Sequence, residues 1–218
     1  MATDLTMDIH LTQIAKRYRY DWIYRNLDYH FKAGHSYAIL GPNGSGKSTL
    51  MRVLSGHLTP SRGKITFEKD GKNISIDEVY HYISYAAPYI DIIEELTLKE
   101  AIAFHRRFKS FVADLPTDKD VIALLSFEKS TDKQIRNFSS GMKQRLKLVL
   151  SICTDTPILL LDEPTTNLDQ QGFEWYRSLI DRFGLGKGRL IIVASNVELD
   201  YGFCEERIEM GDFKKSRK

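Results

Sequence analysis

Residues Gly41 to Thr49 are the part of the sequence whose types and spacing point most directly to chemistry. This segment matches the pattern G-x-x-x-x-G-K-[ST]. Glycines let successive backbone N–H groups converge on an anion, and the positive end of a following helix adds to the attraction. We therefore predict a phosphate-binding loop, in which Lys47 reaches the outer phosphates of a nucleotide and the Ser48 hydroxyl helps to hold Mg²⁺. The residues predicted to bind the nucleotide are Gly41, Pro42, Asn43, Gly44, Ser45, Gly46, Lys47, Ser48 and Thr49.

A second segment with chemical potential is the Asp162-Glu163 pair, which follows the aliphatic run from Ile158 to Leu161. A carboxylate at the end of a buried strand is costly unless it serves a cation, and Mg²⁺ prefers such oxygen ligands. Asp162 is therefore a predicted metal ligand, and Glu163 is predicted to polarise an attacking water. Taken alone, an acidic pair after a strand is as often a helix N-terminus. Because the sequence also contains the predicted phosphate-binding loop at Lys47, we favour the functional interpretation of the acidic pair.

The elements that must position these residues form an α/β pattern. Continuous apolar strands that alternate with helices predict a mostly parallel sheet covered on both faces. The strand-rich opening third predicts an antiparallel subdomain, and residues of about 88–154 predict a helical insert within a single domain over residues 1–218. The predicted strands cover residues 7–12, 22–31, 36–40, 64–68, 73–76, 158–161 and 190–194, and the predicted helices cover 97–108, 117–125, 140–153 and 170–183.

Composition and charge exclude several classes of protein. Lys plus Arg number 31 against 29 Asp plus Glu, so the net charge of +2 gives no reason to expect a nucleic-acid partner. No apolar run approaches the roughly 20 residues that a membrane span needs, and no signal-peptide pattern opens the chain. Cys153 and Cys204 lack metal-ligand spacing and are predicted to be small buried hydrophobes in a reducing compartment. We expect a cytoplasmic protein, with residues 214–218 as a solvated basic terminus.

Two further segments complete a pattern that spans nearly the whole chain. Phe138 to Met142 precede the aliphatic run before the acidic pair, and Thr165 to Asp169 follow that pair. With the segments above, in this order and spacing, they resemble the nucleotide-binding subunit of ABC transporters. In that family a Leu-Ser-Gly-Gly-Gln signature stands in the place of Phe138 to Met142. Here Ser140 and Met142 replace its first Gly and its Gln.

The resemblance implies a P-loop NTPase core and a composite site for ATP and Mg²⁺. Two cassettes of this family pair head to tail, so that each ATP lies between one chain's phosphate loop and the other chain's signature. Ser139, Ser140 and Gly141 are accordingly predicted to contact the ATP of a partner, which is either the same chain or a second ATP-binding subunit. The resemblance also predicts that Tyr18 stacks on adenine, with Tyr20 as the competing choice; an aromatic ring that only packs on the sheet is the alternative.

Two residues that the family uses are missing from this sequence. A Gln between the phosphate loop and the signature contacts metal, water and membrane partner in the family, but no Gln occurs from Ser48 to Lys133. The matching position is Pro88, so we expect this contact to come from water, from Asp91 or not at all. The family's His that grips the γ-phosphate is replaced by Asn196, which donates a neutral hydrogen bond only.

These observations predict an ATPase subunit that powers a separate integral membrane subunit of an ABC transporter, with slow turnover. It would lie at the inner face of the cell membrane as a peripheral protein. One alternative is a soluble ABC-type ATPase that acts on an assembly or repair complex. The other is an ATP-dependent clamp with little turnover, which Pro88 and Asn196 suggest and the retained Glu163 argues against.

Overall fold

The computed structural model describes residues 6–186 and 188–213, whose elements fall into two compact units. The first unit comprises residues up to 85, residues 156–163 and residues from 186 onward, and the second comprises 86–155 and 164–185. The single domain of residues 1–218 and its helical insert of about 88–154 stay predictions. The predicted basic terminus, 214–218, lies outside the described residues.

The elements follow one another along the chain as strands first, then helices, then an alternation of both. The strands are β1 (Asp8–Tyr18), β2 (Asp21–Phe31), β3 (Ser36–Leu40), β4 (Arg62–Lys69), β5 (Lys72–Ile74), β6 (Ile83–Ala86), β7 (Ile158–Asp162), β8 (Leu190–Ala194) and β9 (Glu206–Glu209). The helices are α1 (Lys47–Leu54), α2 (Leu98–Arg106), α3 (Asp118–Leu125), α4 (Ser140–Ile152), α5 (Gln170–Leu179) and α6 (Glu198–Tyr201). Short 3₁₀ turns cover Val79–His81, Glu128–Ser130, Ile135–Asn137 and Met210–Phe213.

One sheet of the first unit is antiparallel and has the order β2-β1-β4-β5. The hairpin between β4 and β5 turns at Asp70 and Gly71, both of which have positive φ angles, 52° and 72°. Two consecutive residues with positive φ fit the right-handed twist of the flanking strands, which explains the Asp-Gly sequence of the turn.

The other sheet has the order β6-β7-β8-β3-β9, in which β7, β8, β3 and β9 pair in parallel. β3, β7 and β8 are short aliphatic strands that are buried along their length, apart from the last residue of β3. Their burial on both faces explains why their sequences are continuous apolar runs without alternation. The carboxyl ends of these parallel strands meet at one edge of the sheet, and the loops that carry the candidate site follow there.

The helices α2, α3, α4 and α5 belong to the second unit. Capping boxes begin α2 and α3: Thr97 pairs reciprocally with Glu100, and Thr117 pairs with Asp120. Each box satisfies two N–H groups that the helix leaves without an internal partner. The indole N–H of Trp175 on α5 donates to the carbonyl oxygen of Leu124 at 3.1 Å, which ties α5 to α3.

Three local expectations differ from the structure in detail. The helix predicted over 97–108 ends at Arg106, and Phe108 beyond its end is 69% exposed. The helix predicted over 170–183 is α-helical to Leu179 and then continues as a π-helical turn, Ile180–Gly184. Of the two cysteines predicted to be buried, Cys153 is buried, whereas Cys204 is only partly so.

Candidate active site

The loop between β3 and α1 has a backbone that only glycine can supply at two positions. Gly41 has a φ of 139°, and Gly46, the residue before the first turn of α1, has a φ of 105°. A Cβ at Gly41 would lie 2.9 Å from the Ser45 Oγ, and one at Gly46 would lie 2.5 Å from a methyl carbon of Ile23. These residues therefore hold the loop in a tight curve whose amides lead into the positive end of α1.

Lys47 is the first residue of α1 and is only 5% exposed. Its Nζ donates a hydrogen bond to the carbonyl oxygen of Gly41 at 2.7 Å, which closes the loop on itself. Burial lowers the pKa of Lys47, and the negative charges of Glu163 and Asp162 oppose that shift. The ammonium group is thus partly desolvated and lies in the field of both carboxylates, where a phosphate would find a strong charge partner.

Asp162 and Glu163 end β7 in different environments. Asp162 is the last residue of the strand and is 1% exposed. Glu163 has a φ of 47°, in the left-handed region that residues other than Gly, Asn and Asp seldom adopt, and its N–H donates to the carbonyl oxygen of Ala194 at 2.8 Å. This left-handed residue turns the chain away from the strand direction and presents the carboxylate to the phosphate loop.

A cavity of about 220 Å³ is lined by the loop and by this carboxylate. The lining residues are Asn43, Gly44, Ser45, Gly46, Lys47, Ser48, Thr49 and Glu163. Within the described residues, the Ser45 Oγ is a buried polar atom that makes no hydrogen bond. The predicted phosphate loop and the predicted catalytic carboxylate are therefore brought together in one cavity of the first unit.

Asn196 follows β8, the strand that lies between β7 and β3 in the sheet. Because of this order, the loop after β8 lies between the loop that carries Glu163 and the loop that carries Lys47. The Asn196 Nδ2 donates to the Oδ1 of Asn43, a lining residue, at 3.1 Å. The residue at the position of the family's missing His thus contacts the phosphate loop directly, and the sequence alone gave no sign of this bond.

The two tyrosines proposed for adenine lie at the turn from β1 to β2. Tyr18 ends β1 and is 45% exposed, with the Lys16 Nζ 5.5 Å from its ring centre, whereas Tyr20 is 92% exposed. Neither ring is packed into the core, so each ring leaves a face accessible for stacking with a base. Tyr18 has the more defined surroundings because it pairs with Asp21 in the sheet.

The predicted signature belongs to the second unit and begins α4. The Ser139 Oγ accepts a hydrogen bond from the N–H of Met142 at 3.2 Å, so this hydroxyl caps the helix. Ser139 and Ser140 are exposed, and Phe138 before them is buried. A Cβ at Gly141 would lie 3.2 Å from the carbonyl oxygen of Asn167, which explains the small residue there.

Pro88, which stands where the family has Gln, is exposed, and its carbonyl oxygen accepts a hydrogen bond from the Lys147 Nζ at 3.2 Å. Burial lowers the pKa of Lys147, and the negative charge of Asp91 opposes the shift. Asp91, the suggested replacement for the Gln, is thus already within electrostatic reach of a lysine.

Gln144 on α4 is a residue that the sequence analysis missed. It is 5% exposed, and its Nε2 donates to the carbonyl oxygen of Pro164 at 2.6 Å. Its position three residues after Gly141 on an amphipathic helix was the available signal, but a polar residue between apolar ones gives no indication of its partner. The bond ties the signature helix to the segment that follows the acidic pair.

In the part of the chain that the structure describes, no helix combines the length and the apolar character that crossing a bilayer requires.

A family model for ABC transporters matches residues 24–166, which include the phosphate loop, the signature and the acidic pair. The chain belongs to the ABC transporter family. The expected family and the expected P-loop fold are thereby confirmed, as is the expectation of an ATP-binding subunit. Among the residues of this ABC subunit, the individual site assignments stay predictions.

Three similar proteins illustrate the relationship. The chain is 28% identical to an uncharacterized ABC transporter ATP-binding protein, YcbN, of Bacillus subtilis, over 88% of this chain and 62% of that protein. It is 31% identical to the lantibiotic transport ATP-binding protein SrtF of Streptococcus pyogenes, over 87% and 80% of the two chains. Its fold matches the dimeric structure of the bacterial ABC transporter cassette MJ0796 with a TM-score of 0.76 and 22% identity, over 93% and 95% of the chains. The chain thus spans less than two thirds of YcbN but most of SrtF.

Proposed function

We propose that the chain binds ATP with Mg²⁺, hydrolyses it and uses the energy to drive a separate membrane subunit of an ABC transporter. The observation that supports this best is the shared cavity of Lys47 and Glu163, in which a phosphate-binding group and a candidate base face the same space. The chain acts as one ABC-type domain over residues 1–218, with residues of about 88–154 as its helical insert.

The phosphates are bound by the loop amides and by Lys47. When a phosphate enters, the Lys47 Nζ exchanges its bond to the Gly41 carbonyl for bonds to phosphate oxygens, since a charged acceptor forms the stronger hydrogen bond. Tyr18 stacks on the adenine, and the base-aromatic contact contributes about 1–3 kcal/mol. Asn196 donates its amide N–H towards the outer phosphate in place of its bond to Asn43.

Ser48 and Asp162 are the residues that would hold Mg²⁺. The donor set fits this ion, because a hydroxyl at the start of α1 and a carboxylate at the end of β7 are the hard oxygen ligands that Mg²⁺ prefers. Bound there, the ion supplies charge neutralisation on the phosphate oxygens.

Glu163 accepts the proton of the attacking water. Its carboxylate lines the cavity, and its left-handed backbone directs it to the phosphate side. A positioned base of this kind accelerates a reaction by about 10²- to 10⁴-fold. The water oxygen bonds to the γ-phosphorus as the bond from that phosphorus to the bridging oxygen breaks; the water's proton passes to Glu163, and ADP leaves with the bridging oxygen.

The partners we propose are a second cassette and an integral membrane subunit. The chain carries one phosphate loop and one signature, and the family pairs these head to tail, with a copy of the same chain or with a related subunit. Relatives at this similarity include ATP-binding proteins named for Nod factor export and for lantibiotic transport, so we propose export. The protein then lies at the cytoplasmic face of the membrane as a peripheral subunit.

Steady-state ATP hydrolysis in the presence of Mg²⁺ tests this function. We expect measurable turnover by the purified chain and a decrease of about 10²- to 10⁴-fold in Glu163→Gln, with ATP binding by calorimetry unchanged. Glu78→Gln, an exposed glutamate of the first unit, is the matched control and keeps the wild-type rate. Equal rates for Glu163→Gln and the wild-type chain would falsify the role of Glu163.

A second candidate is a clamp that binds ATP and barely hydrolyses it, which the neutral Asn196 favours. The same assay separates the two, because a clamp shows tight ATP binding with no turnover above that of Glu163→Gln. Co-sedimentation with membranes separates a transporter subunit, which pellets with its integral partner, from an ABC-type ATPase of a soluble complex.

A further inference from the structure

A cluster of two histidines and an aspartate lies in the antiparallel sheet, apart from the residues that line the cavity. His10 on β1 and His30 on β2 are directly paired in the sheet, and their rings stack with centres 4.0 Å apart and an interplanar angle of 20°. Asp8 precedes His10 by two residues and therefore points to the same face of the sheet. The His30 Nε2 and the Asp8 Oδ2 are 2.7 Å apart.

The donor atoms of these side chains form a compact set. One ring nitrogen of each histidine and one oxygen of Asp8 all lie within 4.8 Å of one another. Tetrahedral Zn²⁺ with bonds of about 2.0–2.1 Å requires donors about 3.3 Å apart, each imidazole holding the ion in its own ring plane. The two rings are stacked nearly parallel, so one of them must turn out of the stack about its Cβ–Cγ bond before both nitrogens face one ion. We propose that Asp8, His10 and His30 bind a divalent transition-metal ion, of which Zn²⁺ is the representative.

The chemistry of the set favours a metal over a simple ion pair. Ion pairs account for each histidine separately, His30 with Asp8 and His10 with Glu68, but they do not require nitrogens of both rings to lie close to the same Asp8 carboxylate, as they do here. Two imidazoles and a carboxylate are a ligand combination typical of Zn²⁺ and of non-haem Fe²⁺. A further carboxylate, that of Glu68 on β4, lies 3.7 Å from the His10 Nε2 and adds negative charge beside the set.

The surroundings hold the ligands in place and leave them accessible. The Asp8 Oδ1 accepts the N–H of Ala33 at 2.8 Å, which orients the carboxylate in the way that outer hydrogen bonds orient metal ligands. The side chains of Asp8, His10 and His30 are 32%, 36% and 39% exposed, which leaves an entry for the ion.

The consequence of binding is a cross-link between β1 and β2. β1, which carries Asp8 and His10, is also paired with β4 on its other side, where Asp8 faces Glu68, whereas His30 lies on the edge strand β2. A bound ion stabilises the folded chain by its affinity for the folded state. We assign the metal site no part in ATP hydrolysis. The result of the metal-binding experiment is therefore independent of whether the proposed function is correct.

Zn²⁺ titration followed by calorimetry and thermal unfolding tests the site. The full chain is used without nucleotide, after removal of any affinity tag, and with excess Mg²⁺ to occupy sites made only of oxygen ligands. We expect one Zn²⁺ per chain and a rise of the midpoint of thermal unfolding with Zn²⁺ concentration. His10→Gln and His30→Gln each weaken binding by at least about tenfold, because each removes a ligand.

His81→Gln is the matched control, since His81 is an exposed histidine of the same unit outside the cluster. It keeps the wild-type affinity for Zn²⁺. Thermal unfolding in the presence of a chelator shows whether the variants fold as the wild-type chain does, and the spectrum of bound Co²⁺ reports the ligand set independently. Wild-type affinity in the double variant His10→Gln/His30→Gln, or the absence of binding at micromolar Zn²⁺ by the wild-type chain, overturns the proposal.

Discussion

The phosphate loop and the two positions that depart from the family differ in how firmly their surroundings define them. Gly41, Gly46 and Lys47 are fixed by steric limits and by a buried hydrogen bond, so that few other residues fit. Pro88 and Asn196 are both exposed, and each makes one contact with a neighbouring polar group. Replacing either therefore leaves the packing of the fold unchanged.

This difference indicates how the chain is specialised. The residues proposed to bind the phosphate charge are part of the structure of the loop. Pro88 and Asn196, at the positions matched to the family's Gln and His, are exposed, and we expect substitutions to be tolerated there. We therefore expect binding of ATP to depend strongly on the first set and turnover to be tuned by the second.

Lys47→Ala is the most severe test of the first expectation, that ATP binding depends strongly on the residues of the phosphate loop. It removes charge-assisted hydrogen bonds worth about 1.5–3 kcal/mol, so ATP affinity should fall about 10- to 150-fold. Calorimetric titration measures this loss, and thermal unfolding without nucleotide reports whether the loop still folds. Lys64→Ala, an exposed lysine of β4, is the charge-matched control and should bind ATP as before. Unchanged affinity in Lys47→Ala would mean that the nucleotide binds elsewhere.

Asn196→His tests the second expectation, that turnover is tuned by the positions that depart from the family. A charged donor replaces a neutral one at the outer phosphate, and a gain of about 1–2 kcal/mol in transition-state stabilisation raises turnover about 5- to 30-fold. The rate of phosphate release at saturating ATP measures this increase in turnover. Asn196→Gln keeps the neutral amide on a longer side chain and should not accelerate hydrolysis. If the histidine variant is no faster than the wild-type chain, the replacement at this position does not limit turnover.

Pro88→Gln has the smallest expected effect. The new amide adds one neutral hydrogen bond, worth about 0.5–1.5 kcal/mol, and should raise turnover about two- to tenfold. Pro88→Ala removes the ring without adding an amide and distinguishes the new bond from a more flexible backbone. Equal acceleration in both variants would assign the effect to the backbone and not to the amide.

Much of the fold could be predicted because its central strands are short apolar runs bounded by residues that are typical of turns and loops. β3 and β8 have the predicted bounds, and the capping box at Thr97 marks the start of α2 correctly. β6 and β9 were missed, since strands of four residues with mixed burial show no periodicity that separates them from loops. The end of α2 was predicted two residues too late, at Phe108, because periodicity does not show where a helix ends.

The candidate site was predictable where a motif carries its own mechanism. The loop at Lys47 and the pair at Asp162 follow buried strands, so their meeting at one edge of the sheet follows from topology. The Asn196 contact with Asn43 and the Gln144 bond to Pro164 join residues far apart in sequence, and no local pattern encodes such partners. The cross-strand cluster at His10 and His30 depends on strand register in the same way.

The left-handed backbone of Glu163 lowers the stability of the fold, whereas the side chain that it carries is the carboxylate proposed to act in hydrolysis. A conformation of this kind costs on the order of 1–3 kcal/mol for a residue with a side chain, and glycine would adopt it without penalty. A Gly at this position would give a sturdier protein with no carboxylate in the cavity. The energetics of folding alone thus give no reason for a glutamate here, which agrees with the catalytic role that we propose for its carboxylate.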